Sequence, residues 1–131
     1  MKLELDKMAE IVEKAKNEDA GKIVFGVDVK VTGRNIRGLL YVTLFLGRNA
    51  VEFTTDVPDY KPNKGELEST LEELFSKFGI SKFEVNIHNH EGGFHDKDVM
   101  FLLENSESLP KVIKYILQNF YESQNFDYCF N

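Results

Sequence analysis

The chain has 131 residues, 42% of them hydrophobic and 29% charged, and a formal net charge of -6. That length fits one globular domain, residues 1–131, because most domains have about 100 to 150 residues. The composition excludes a disordered chain, and with no apolar run of about 18 residues it excludes a membrane span.

The opening MKLELDKMAEIVEKAK carries a charge at every second or third position and has no apolar stretch, so it is no secretory leader and a cytoplasmic protein is expected. Leu5, Met8, Ile11, Val12 and Ala15 recur at helical spacing, which predicts an amphipathic helix ending near NEDAG. From Lys22 the period falls to two: Ile23, Phe25, Val27, Val29 and Val31 share one side, and Val24, Gly26, Asp28 and Lys30 the other. This is the pattern of a half-buried strand. After TGRN comes IRGLLYVTLFL, apolar on both faces and so expected at the centre of its sheet. A GRN turn then leads into AVEFTTDV, with Val51, Phe53, Thr55 and Val57 inward.

PDYKPNKG reads as a loop, and Asn63 with Glu66 resembles a capping box for a helix whose stripe is Leu67, Leu71, Leu74, Phe75 and Phe78, stopped at Gly79. KFEVNIHNH alternates with Phe83, Val85 and Ile87 inward, and DVMFLLE reads as a strand paired back on it, with a short helix as the alternative. Ser108 and Pro110 open a last helix with the stripe Leu109, Val112, Ile113, Ile116, Leu117 and Phe120. The tail NFDYCFN sets Phe126, Tyr128 and Phe130 at alternate positions, so it docks on the body or pairs as an edge strand, with Cys129 semi-buried as a packing residue. The order α-β-β-β-α-β-β-α predicts an α+β fold: a mostly antiparallel sheet of about five strands, with three helices packed mainly on one face.

One cysteine in 131 residues forms no internal disulfide and has no CxxC partner, in keeping with a reducing compartment. There is no GxSxG elbow, no phosphate loop ending in Lys-Ser or Lys-Thr, and no Gly-rich dinucleotide fingerprint, since the glycines of GVDVKVTGRNIRG read as hairpin punctuation. No cofactor is expected.

All three histidines lie in IHNHEGGFHDKD. His88 and His90, two apart on a strand, share a side and can hold a metal if His95 or a carboxylate supplies a third ligand. The local HNH, preceded by a helix and a strand, resembles the HxH of JAMM-type metalloproteases and their RadC-like relatives over Leu67 to His90. The resemblance implies a metal-dependent hydrolase using His88 and His90. It stops where that family places a serine and a ligand aspartate, because Asp98 and Phe101 stand there instead. The alternative is a polar rim turned by Gly92-Gly93, with His88 and His90 outward at the end of an exposed strand and Glu91, His95, Asp96 and Asp98 in solvent.

Charge points to a partner. Residues 1–64 carry 11 basic and 10 acidic groups, whereas residues 65–131 carry 5 and 12. Such a surface repels phosphate backbones and attracts basic proteins. A sheet face with Leu39, Tyr41, Thr43 and Phe45 at its middle and Glu52, Asp56, Glu84, Asn86 and His88 around them combines aromatic anchors with steering charge. The expected function is therefore an acidic protein-binding domain that neutralises a basic partner, as toxin-immunity proteins and phage inhibitors do. Its expected contact residues are Tyr41, Phe45, Glu84, His88, Glu91, Asp96 and Asp98. The alternative is the hydrolase, with His88, His90 and His95 as metal ligands.

Overall fold

The structure, a computed structural model, describes residues 5–33, 35–56, 69, 71–73, 75–80, 82–89, 95–103 and 106–131. The capping box at Asn63 and Glu66, the stripe positions Leu67 and Leu74, and Val57, His90, Glu91, Gly92 and Gly93 lie outside these residues.

The first helix, α1 (Leu5–Asn17), buries Met8, Ile11, Val12 and Ala15 along one stripe. Asp6 in its first turn and Lys14 and Lys16 in its last complement the helix dipole. Its exit passes through Asp19 at φ 53, a left-handed conformation that Asp tolerates better than most side chains. The Ala20 N–H donates back to the Ala15 carbonyl over 2.9 Å.

Three strands follow as hairpins: β1 (Lys22–Val31), β2 (Arg37–Phe45) and β3 (Ala50–Asp56). The first turn contains Gly33 at φ 76 and the second Asn49 at φ 51, two residue types that enter the left-handed region cheaply. Helical residues 69, 71–73 and 75–76, here α2, bury Leu71 and Phe75. Gly79, at φ 70, donates its N–H to the Ser76 carbonyl (3.3 Å), and the Ile80 N–H reaches the Phe75 carbonyl (3.0 Å). This paired geometry is a Schellman stop, and it needs glycine at the left-handed position. Then come β4 (Phe83–Asn89), β5 (His95–Leu102), a 3-10 turn at Ser106–Ser108, α3 (Leu109–Phe120) and β6 (Tyr121–Phe130).

The strands form one antiparallel sheet in the order β4-β5-β3-β2-β1-β6. The fold is thus α+β, as expected, with six strands because the tail pairs as an edge strand along β1. One sheet face carries Ile23, Phe25, Val27, Val29, Leu40, Val42, Leu44, Val51, Phe53, Phe101 and Phe126, and these form one core cluster with the buried stripes of the helices. β2 is central, as its apolar composition predicts. The other face has no helix on it among the described residues.

Cys129 departs from expectation: it is exposed. With Phe126 buried and Tyr128 and Phe130 packed against the core, strand alternation sends position 129 to the opposite face. No helix among the described residues is long and apolar enough to cross a membrane. Lys16 Nζ lies 2.9 Å from Glu107 Oε1, tying α1 to the 3-10 turn and holding the Glu107 carboxyl below its ordinary range.

The α3 stripe provides a test of this core. Ile113 is fully buried and Lys114, its neighbour, is exposed. Ile113→Ala is expected to cost about 2–5 kcal/mol in a urea melt, and Lys114→Ala less than about 0.5 kcal/mol. Equal costs would mean that α3 presents a different stripe to the sheet.

Candidate functional site

The ladder registers order the helix-free face into rows that cross the strands. One row runs Glu84, Met100, Glu52, Thr43, Val24, Cys129. The next runs Asn86, Asp98, Thr54, Tyr41, Gly26, Asp127. A third runs His88, Asp96, Asp56, Leu39, Asp28. These rows hold carboxylate residues on five of the six strands and neither lysine nor arginine. With strands about 4.8 Å apart and same-face residues about 6.7 Å apart, the strip measures roughly 24 by 13 Å.

Cations flank the strip at both ends. Beyond one end are Lys22, Arg48 and Lys82, all exposed. Beyond the other, Lys30 pairs with Arg37 in the ladder, and Lys30 Nζ stands 3.5 Å from Glu122 Oε2. Within the strip the ladder sets Asp56 directly opposite Asp96. Like charges at paired ladder positions oppose pairing, so this register is not one that charge favours. The Thr54 hydroxyl donates to Glu52 Oε1 over 3.4 Å.

Of the expected contact residues, Tyr41 is 38% exposed, beside Leu39 at 36%, in the middle of the strip. Glu84 is exposed at its β4 end. Asp96, Asp98 and His88 take register positions in the same strip. Phe45 is half-buried one row beyond it, with the Arg48 guanidinium 5.0 Å from its ring centre, so it belongs to the cationic end. Glu91 lies outside the described residues.

The histidine set divides. His88 pairs with Asp96 and Asn89 with His95, so His88 and His95 occupy positions of opposite parity in the hairpin. Successive strand positions address opposite faces. Among the described residues, no three His, Cys, Asp or Glu side chains gather as a metal would require.

The sequence reading missed a groove where β1, β2 and β6 meet. Gly26, Asp28, Leu39, Tyr41, Asn125 and Asp127 line a cavity of about 220 Å³ there. Its signal was Gly26 and Asp28 on the outward side of β1, with Asp127 supplied by a tail whose neighbour could not be read from its pattern. A larger open cavity of about 530 Å³ lies at the Arg48 end of the strip, lined by Arg48, Lys82, Phe83, Glu84, Met100 and Leu102.

No protein-family model, curated protein or solved structure matches this chain.

Proposed function

We propose that this chain is an acidic, cytosolic protein-binding domain that covers the cationic surface of a basic protein, in the manner of toxin-immunity proteins and phage inhibitors. The observation that supports this reading most strongly is the base-free carboxylate strip, in which Asp56 is held opposite Asp96 and Tyr41 and Leu39 stand exposed at the middle. Charge repulsion inside a ladder costs stability. A cationic partner would relieve that repulsion, while the aromatic and aliphatic side chains supply the apolar contact around which hot spots form.

The strip covers roughly 300 Å², whereas a stable interface buries about 800 Å² on each partner. The partner must therefore extend past the strip. The cations at both ends would limit how a uniformly basic surface could slide along the strands, so charge selects one placement.

The test is kinetic. With a partner captured from the source cells, association is measured for the wild type and for the variant Glu84→Gln/Asp96→Asn/Asp98→Asn. Its on-rate is expected to fall roughly ten-fold at low salt, and the difference should shrink as the Debye length contracts to about 8 Å at physiological ionic strength. The melting temperature should not fall, because Asp96→Asn removes a like charge from the position paired with Asp56. An unchanged on-rate at both salt concentrations, or a captured partner that is itself acidic, would refute the reading.

A further inference from the structure

Gly26 occupies the middle of β1, a strand with a neighbour on each side. Glycine there weakens the sheet, and an interior strand glycine often marks a place where something approaches the backbone closely. No left-handed conformation requires it, since Gly33 and Gly79 are the described glycines with positive φ. Nor does space, because a Cβ at position 26 would sit 3.7 Å from Tyr41 Cε1, an ordinary contact.

What the missing side chain leaves is the floor of the groove. Across it, β6 departs from register: Val27 pairs with Phe126 but Val29 with Ser123, so β6 carries one extra residue beside Asp28. Bulges of this kind bend a strand and re-aim its side chains. The exposed Asn125 lies within the bulge and the exposed Asp127 just past it on β6, Asp28 stands on β1, and the exposed Tyr41 ring forms one wall. Among the described residues, neither Asp28 nor Asp127 has a lysine or arginine within ion-pair distance. At about 220 Å³ the groove is below the roughly 300–1,000 Å³ of small-molecule pockets, and it suits one side chain.

We propose that this groove receives the guanidinium of an arginine from the basic protein partner, an inference that rests on the function proposed above and gives it an anchor. A guanidinium is planar and weakly hydrated, stacks on an aromatic face and forks its N–H donors toward carboxylates on either side. Lysine offers a compact, strongly hydrated charge that uses the Tyr41 face less well. The arginine therefore sets the register of the partner on the strip.

Isotope-labelled full-length chain is titrated with three capped peptides that differ only in carrying one arginine, lysine or citrulline, and the backbone amide resonances are followed. Saturable shifts at Gly26, Asp28, Leu39, Asn125 and Asp127 are expected with arginine, roughly five-fold weaker affinity with lysine and no saturation with citrulline. Gly26→Ala, which fills the floor, and Asp28→Asn/Asp127→Asn should each weaken the arginine response at least ten-fold without lowering the melting temperature. Arginine and lysine of equal affinity, or a response untouched by Gly26→Ala in a chain that keeps its spectrum, would overturn the groove. A poly-arginine peptide separates this failure from that of the wider reading. Shifts confined to β4 and β5 would overturn the groove and leave the acidic strip as the docking surface, whereas no saturable shift on the strip would overturn both.

Discussion

A chain ended at Phe120 is expected to lose cooperative folding altogether. That truncation removes β6, which pairs with β1 from Val31 to Ile23 and brings Phe126 into the core with its ring 6.2 Å from that of Phe25. Tyr128 and Phe130, stacked at 6.3 Å, pack against the same cluster, and Lys14 of α1 stands 6.0 Å from the centre of the Phe130 ring. The backbone closes on the last residue, whose carbonyl accepts from the Gly21 N–H over 2.8 Å. Fully burying a phenylalanine stabilises by about 1.5–3 kcal/mol. One buried and two half-buried rings thus contribute roughly 3–6 kcal/mol, against a total stability of about 5–15 kcal/mol for an ordinary domain. The hydrogen bonds of β1 would be lost as well. The near-ultraviolet circular dichroism signal should vanish and no sigmoidal melt remain; a truncated chain melting within about 5 °C of the full one would show that β6 is dispensable.

Phe75→Ala is expected to cost about 3–5 kcal/mol, and so to lower the melting temperature by roughly 10–20 °C. Phe75 is the residue through which α2 holds the β4–β5 side of the sheet. Fully buried, its ring lies 4.5 Å from Phe101 and 5.2 Å, edge on, from Phe83, and Phe101 stacks in turn on Phe53 at 5.4 Å. Alanine would leave a cavity against β4 and β5, which cannot both relax into it. Phe78, half-buried and meeting Tyr115 edge on at 5.2 Å, is the control, and Phe78→Ala should cost less than half as much. Equal losses in a denaturant titration would mean that α2 is rotated from the placement described.

Alternation in the sequence identifies the inward face of each strand because that signal is local: Ile23, Phe25, Val27 and Val29 reach the core as their spacing requires. It cannot say which strands are neighbours. That β5 enters between β4 and β3, and that the tail runs beside β1, follow from packing choices made far apart in the chain. The error at Cys129 is instructive because the information was present. Three alternate aromatics that dock on the body oblige the residues between them to face away, and the strand period outweighs the preference of cysteine for burial. Gly26 is legible in the sequence as an outward strand position, but nothing local marks it as the floor of a groove. Its groove was not legible because part of its lining comes from β6, whose neighbour the pattern of the tail does not reveal. The acidic strip was partly visible as composition, but the alignment of Asp28, Asp56 and Asp96 into one row depends on registers that composition does not encode.

The pairing of β1 with β6 joins residues from opposite ends of the chain, Ile23 with Phe130. A ribosome adds roughly 5–20 residues each second, so several seconds separate the appearance of the first strand from that of its outer partner. During that interval β1, β2 and β3 can zip as hairpins, but the far edge of β1 has nothing to bond, and its apolar side is covered only in part. Protection of β1 waits on β6, which is made about 100 residues later. A brief window for misassociation is therefore built into the strand order, and a binding partner or chaperone present at the ribosome would shorten it.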